Sequence, residues 1–166
     1  MKLPRKIRWY KTLEHRRIKK YFMIQKHIEI LKKFNVSPKT ILEIGSRDGN
    51  DSEYYRNNLK LNNEDVYIVE PNPFMVEQIK TRYPNFTIFN VAIDESEGLK
   101  EFNQVIGGGM DSIGVSSLLD RTDNFYERYP TNKITVQTLM GSTLLSKIKK
   151  EIDVCKIDVE GLTYEV

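Results

Sequence analysis

Short apolar segments alternate with segments that carry helix signals along most of this sequence, and no other feature limits the fold as strongly. The predicted strands cover residues 40–44, 66–69, 86–93, 99–103, 134–138 and 153–157. A repeated succession of strand, loop and helix favours a parallel sheet, and its crossovers are expected to be right-handed. We therefore predict an α/β fold.

The helix that precedes the first strand has a clear amphipathic pattern. Within residues 21–34, Ile24, Ile28 and Leu31 follow a spacing that places them on one face, while charged residues point elsewhere. We interpret this segment as a cover for one edge or face of the sheet.

The remaining helices are predicted from capping signals and from their position between strands. They cover residues 51–61, a segment that begins at Pro73, residues 118–129 and residues 143–150. Asn72 is expected to cap the helix that begins at Pro73, and Ser142 the helix over 143–150. A glycine run at 107–109 is predicted to be a flexible loop.

Charge is distributed unevenly. Residues 1–20 contain nine basic residues and one acidic residue, Glu14, which gives this arm a net charge of +8, whereas residues 21–166 carry −5. We interpret the arm as a solvated extension. Trp9 and Tyr10 within it leave open a contact with anionic lipid, a polyanionic substrate or a partner.

Length and composition describe an ordinary globular chain. Its 166 residues fit one core, which we divide into an N-terminal arm and helix over 1–36 and a core domain over 37–166. The single cysteine, Cys155, suits a reducing compartment. We find no membrane span and no secretory signal in the sequence, and we expect a cytoplasmic protein. The modest net charge of +3 gives no reason to expect a nucleic-acid partner.

The loop after the first strand is the first candidate site. Ligands of open parallel sheets bind beyond the carboxyl ends of the strands. Gly45 allows a sharp turn and a close approach of the backbone to a ligand, and the loop that ends at Gly49 leads into a helix N-terminus. Glu43 adds a carboxylate beneath the crevice. Two glycines four residues apart also fit a tight turn without a ligand.

Glu70 closes the second strand and is the second candidate. Its two acceptor oxygens can face two adjacent hydroxyls of a ribose. NAD enzymes use the same device, so this residue indicates a nucleoside and no particular cofactor. Alternatively, Glu70 is a solvent-exposed acid at the start of the next helix, where the helix dipole favours negative charge.

The first loop distinguishes the cofactors. A dinucleotide fingerprint requires Gly-x-Gly-x-x-Gly, whereas this loop has Arg47 at the second glycine position and no third glycine. Glu43 and Asp48 would repel a pyrophosphate but suit the ammonium and sulfonium groups of S-adenosylmethionine. The loop therefore argues against NAD.

The third cluster follows the last strand. Alternation places Lys156, Asp158 and Glu160 on one side if the strand extends that far. Such a group can position a hydroxyl, take its proton or bind a divalent cation. It also fits a strand end whose acids begin the next helix.

These segments resemble the FkbM family of methyltransferases. The resemblance lies in residues 41–50 (ILEIGSRDGN), 69–73 (VEPNP), 90–93 (NVAI), Gly98, 116–118 (SSL), 134–139 (ITVQTL) and 152–161 (IDVCKIDVEG). It covers about residues 40–166 in consistent order, and KIDVEG is its most specific part. The position after Thr-Leu is Met140, where the family has an aspartate.

The resemblance implies a doubly wound, Rossmann-like class I methyltransferase fold that binds S-adenosylmethionine and transfers its methyl group, usually to oxygen, on a small molecule or glycan. It implies cofactor-binding roles for Glu43, Gly45, Ser46, Asp48, Gly49, Glu70, Pro71, Asn90, Val91 and Ala92. The methionine part is expected over the glycine loop, the ribose at Glu70 and the adenine near Ala92. Asp158, Glu160 and Lys156 are the catalytic candidates on the acceptor side, and no metal site is predicted.

The resemblance also predicts that the fold is incomplete at its C-terminal end, because the family continues with further strands. An open sheet edge, available to a partner, would then remain. We keep two alternatives to the enzyme, namely an inactive or partner-dependent cofactor-binding remnant and a NAD-dependent oxidoreductase.

Overall fold

The computed structural model describes residues 22, 24–107, 113–120 and 128–159. The first helix, α1, covers residues 24–33. The later elements are β1 (Ile41–Ile44), α2 (Asn50–Leu59), a 3-10 turn (Asn63–Asp65), β2 (Val66–Val69), α3 (Pro73–Arg82), β3 (Thr87–Phe89), β4 (Ala92–Ile93), β5 (Gly98–Val105), β6 (Thr131–Leu139), α4 (Gly141–Lys147) and β7 (Val154–Ile157).

A four-stranded parallel sheet forms the centre, in the order β3–β2–β1–β7. Ile41 of β1 is paired with Val66 of β2 on one side and with Val154 of β7 on the other. The mainly parallel, Rossmann-like α/β architecture expected from the sequence is confirmed. All four carboxyl ends therefore lie at the same edge of this sheet.

The segment over 86–93 was predicted as one strand, and this prediction is wrong. The chain forms two short strands in different sheets: β3 pairs with β2, whereas β4 pairs with β6. The side chain of Asn90 lies at the break and donates to the carbonyl oxygens of Glu70 and Pro71, at 2.9 and 3.0 Å. In the smaller sheet, ordered β4–β6–β5, the strands β5 and β6 are antiparallel.

Two apolar clusters cover opposite faces of the central sheet because successive side chains of a strand point to opposite sides. Ile41 faces α1 and α2, where it packs with Ile24 and Tyr55. Leu42 faces the other way and packs with Leu144 of α4. His27 and Tyr55 are 2.7 Å apart through Nδ1 and the hydroxyl group, which joins α1 to α2.

Helix ends agree in part with their sequence signals. Asn72 accepts a hydrogen bond from the backbone of Phe74, as expected of the cap of α3. Ser142 is not a cap, because α4 begins at Gly141 and its capping position is Met140. The helix predicted over 118–129 is not helical over 118–120, and 121–127 lie outside the described residues, as do 108 and 109 of the glycine loop.

Candidate functional site

A cavity of about 70 Å³ lies at the carboxyl ends of β1, β2 and β7. Phe102 of β5 and the segment over 113–118 form part of its wall. The apolar lining consists of Ile44, Val69, Met75, Val91, Ala92, Ile93, Phe102, Ile113, Leu118 and Val159. The lining contains few polar side chains, as is typical of a site in which a small number of polar groups orient one ligand.

Gly45 lines the cavity and allows two strands to approach each other. Its φ is +81°, and a Cβ atom there would lie 2.2 Å from the carbonyl oxygen of Asp158. Its amide donates to the carbonyl oxygen of Val69 at 2.9 Å, so the turn is tied to β2. A side chain at this position would need a rare conformation and a shift of the backbone beyond β7.

Glu70 also lines the cavity, and its carboxylate is held by backbone amides. Oε2 accepts from the amide of Arg47 at 2.7 Å, and Oε1 accepts from the amide of Asn72 at 2.9 Å. Each carboxylate oxygen has a second lone pair, so both can still accept from a ligand. Arg47 presents its amide from a left-handed backbone conformation, with φ +58°.

Burial affects the acidity of this carboxyl. Only 6% of Glu70 is exposed. Burial raises the pKa of Glu70 to about 7, although the amides of Asn72 and Arg47 act in the opposite direction. A carboxyl poised near neutrality at a cavity wall is a frequent property of functional sites.

Glu43 lies below the cavity rather than in its lining. Its Oε2 accepts from the hydroxyl of Ser46 at 2.9 Å and from the amide of Ser52 at 3.1 Å. Its Oε1 accepts from Nζ of Lys156 at 2.7 Å. The Glu43 side chain points toward α2 because it is in phase with Ile41, so its direct contact with a ligand stays a prediction.

Lys156 connects the buried acids to the cavity. Its ammonium lies 2.7 Å from Glu43, 3.1 Å from Asp51 and 3.4 Å from Asp158. Burial opposes the charge, but attraction by Glu43 and Asp51 outweighs it and raises the pKa of Lys156. The cation therefore belongs to a buried network, and it is Asp158 that lines the cavity.

Asp48 and Gly49 form the start of α2 and are not part of the lining. Asp48 accepts from the amide of Asn50 at 3.2 Å and is paired with Arg47 at 3.3 Å. Gly49 has φ +73°, and a Cβ atom there would lie 2.9 Å from the ring of Tyr83. Both residues shape the loop, and their predicted ligand contacts remain predictions.

The segment after β3 lies beside Glu70. Pro71, Val91 and Ala92 line the cavity, whereas Asn90 is exposed and holds the backbone of Glu70 and Pro71 through its side-chain amide. The cavity thus joins Gly45, Glu70, Pro71, Val91, Ala92 and Asp158 among the predicted site residues. It leaves Glu43, Ser46, Asp48, Gly49, Asn90 and Lys156 outside its lining, and Glu160 lies outside the described residues.

Several lining residues had no predicted role. Ser116 ties the segment over 113–118 to β5, because its hydroxyl accepts from the amide of Val105 at 3.0 Å and donates to the carbonyl oxygen of Ile113 at 2.7 Å. Phe102 of β5 also lines the cavity. The apolar character of Phe102 could be read from the sequence, but its position depends on long-range pairing.

The comparisons with known proteins address the family. A family model, the methyltransferase FkbM domain, matches residues 43–166. The chain belongs to the FkbM methyltransferase family. No curated protein and no solved structure matched it.

The described residues of this chain contain neither a membrane-spanning helix nor a cluster of metal-binding side chains. None of the helices among them is long and apolar enough to cross a bilayer. They also contain no group of three or more His, Cys, Asp or Glu side chains that could hold a metal ion.

Proposed function

We propose that this chain binds S-adenosylmethionine in the cavity at the carboxyl ends of β1 and β2 and transfers its methyl group to a hydroxyl oxygen of a small molecule or glycan. The observation that carries the proposal is the Glu70 carboxylate. Two amides hold it at the wall, and each of its oxygens keeps a lone pair with which it can accept from a ligand.

The residues of the cavity fit a nucleoside. Two acceptor oxygens match the adjacent hydroxyl groups of a ribose, and the neighbouring wall of Val91, Ala92 and Phe102 is apolar, as suits an adenine ring. Gly45 allows the backbone of Asp158 to approach the first loop closely at the cavity wall. Arg47 in place of a second glycine argues against a pyrophosphate.

The methionine part carries positive charge, and the surroundings of the glycine loop suit it. Glu43, Asp51 and Lys156 form a buried group whose formal charge is −1. Asp158 adds a carboxylate at the cavity, where its side chain is 65% exposed. Direct binding of the amino group by Glu43 would require it to exchange one of its present hydrogen bonds.

When bound, S-adenosylmethionine supplies a methyl group already activated by the sulfonium. The chain then has to align donor and acceptor, an effect that can contribute roughly 7–11 kcal/mol. Asp158 lines the cavity and is exposed enough to reach an acceptor hydroxyl, so we assign it the role of base. Lys156, 3.4 Å away, would orient Asp158, and Glu160 is a further candidate.

Calorimetry on the folded chain tests the cofactor. We expect S-adenosylmethionine to bind and NAD not to bind. Replacement of Glu70 by Ala should weaken S-adenosylmethionine binding by roughly 1–3 kcal/mol through lost hydrogen bonds. Glu77→Ala is the matched control, because Glu77 is an exposed carboxylate of α3 outside the cavity lining.

Each other outcome counts against a part of the proposal. Binding of NAD alone would reject the methyltransferase cofactor, and binding of neither compound would favour an inactive or partner-dependent remnant. An unchanged affinity in Glu70→Ala would refute the ribose contact. Asp158→Asn should lose turnover with an accepted hydroxyl substrate even at saturating S-adenosylmethionine, and unchanged turnover would remove Asp158 as the base.

A further inference from the structure

The outer face of α1, taken together with the flanking residues Phe22 and Phe34, carries large apolar side chains that the domain leaves exposed. Phe22, Ile30 and Phe34 are 52%, 53% and 68% exposed. Lys26 and Lys33 lie on the same side, since the five positions follow helical spacing over three turns. The inward face of the helix packs in the core, where Ile24 and Ile28 are each only 3% exposed.

Lysine and aromatic groups on this face are in contact. Nζ of Lys26 lies 4.7 Å from the ring centre of Phe22, and Nζ of Lys33 lies 5.9 Å from that of Phe34. The outer face of α1 therefore combines apolar and cationic side chains in contact with each other. Exposed apolar groups interleaved with lysines are typical of helices that lie in a membrane interface.

The sequence that precedes α1 adds a strong basic charge. Residues 1–20 carry +8 and include Trp9 and Tyr10, whereas residues 21–166 carry −5. An anionic surface would attract the arm and repel most of the remaining domain. Stable attachment of a peripheral protein generally needs an apolar signal and a basic signal together. Both occur here in adjacent stretches of sequence.

We propose that the outer face of α1 binds an anionic lipid surface, with the positive charge of residues 1–20 adding electrostatic attraction. The apolar side chains of Phe22, Ile30 and Phe34 would enter the boundary between headgroups and acyl chains, while the lysines of this face would meet lipid phosphates. The aliphatic Ile30 favours lipid over nucleic acid, because a nucleic acid offers stacking to aromatic rings and phosphates to cations but little to an alkyl group.

Vesicle co-sedimentation of the full chain tests this contact. The probes are vesicles of phosphatidylcholine alone and vesicles that contain about one third phosphatidylserine, at low and high salt. We expect binding to the anionic vesicles at least roughly tenfold tighter than to the neutral ones, with a loss at high salt. Equal binding to both vesicles, or no binding to either, would overturn the proposal.

Matched variants locate the charge contribution. Lys26→Glu/Lys33→Glu should weaken binding to anionic vesicles at least roughly tenfold. Lys147→Glu/Lys149→Glu makes the same change of charge on exposed residues in and after α4, on the opposite face of the sheet, and should have a much smaller effect. An equal loss in both pairs would show a response to net charge alone and would contradict the assigned face.

The apolar contribution separates lipid from other polyanions and from self-association. Phe22→Ser/Ile30→Ser should reduce vesicle binding without changing the melting temperature, because both positions are exposed. The control Leu145→Ser, at a position on α4 that is 52% exposed, should not reduce vesicle binding. If an RNA oligonucleotide bound as tightly as the vesicles, and Phe22→Ser/Ile30→Ser did not weaken that binding, the ligand of this face would be a nucleic acid and not a lipid. A change of oligomeric state by the same variant would assign the face to a second copy of the chain.

Discussion

The buried Glu70 carboxyl should make the stability of the ligand-free chain depend on pH in an unusual direction. Its folded pKa of about 7 lies above the ordinary value of 4.5, so the folded state holds the proton more tightly than the unfolded state. Stability supported by the protonated carboxyl is complete below pH about 4.5 and is lost as pH rises to about 7. Replacing Glu70 by Gln removes this titration.

The size of the effect follows from the same two pKa values. One unit corresponds to about 1.4 kcal/mol, so ionised Glu70 costs the fold about 3 kcal/mol above pH 7. The side chain introduced by Glu70→Gln would keep one acceptor oxygen but would place an amide nitrogen opposite a backbone N–H, because both carboxylate oxygens of Glu70 accept from amides. That mismatch costs about 1–3 kcal/mol at every pH. The raised pKa is therefore tested by how the difference in unfolding free energy between the two chains changes with pH, and not by the constant part of that difference.

Urea unfolding between pH 5 and 8 measures this slope. The difference in unfolding free energy between the original chain and Glu70→Gln should shift by about 2–3 kcal/mol in favour of the variant as pH rises. Glu77→Gln, an exposed change on α3, controls for the loss of one negative charge. Parallel curves for the original chain and Glu70→Gln would refute the raised pKa and the burial argument behind it.

Two other changes test the framework of the site. Gly45→Ala should destabilise the chain by about 2–5 kcal/mol in urea unfolding. The variant would place an alanine in a left-handed conformation, with its Cβ atom 2.2 Å from the Asp158 carbonyl oxygen. A loss below about 1 kcal/mol would mean that this contact relaxes freely. Lys156→Met should cost about 3–5 kcal/mol, because it removes the ammonium group from between two buried carboxylates. Lys149→Met, an exposed change, should cost little, and equal losses would argue against the buried network.

The central strands could be predicted because local sequence and final burial agree there. The predicted strand over 66–69 is β2 without a change of boundary, and all four of its residues are buried. The segment over 86–93 is equally apolar, yet it divides between two sheets. Its second half pairs with Thr138 and Leu139, far along the chain, and the propensity of the segment itself contains no information about that partner.

The cavity was predictable where it depends on strand ends and not where it depends on the smaller sheet. Gly45 and Glu70 follow directly from the ends of β1 and β2, and both line it. Phe102 and Ile113 line it too, although they belong to β5 and to the segment beyond it, outside the central sheet. Their side chains carry no distinctive chemistry, so no sequence signal indicated a place in the site.

The two acids near these strand ends differ in role because of strand phase. Glu43 is in phase with Ile41, so its side chain points to α2, where Ser46, Ser52 and Lys156 hold both oxygens. Ile44, one residue later, faces the cavity. Glu70 lies just beyond its strand, where two amides hold its carboxylate and the residue lines the cavity. A carboxylate inside the strand thus organises the loop from below, while one past the strand end can meet the ligand. On this basis we expect the loss of the Glu70 carboxylate to lower cofactor affinity more than the loss of the Glu43 carboxylate.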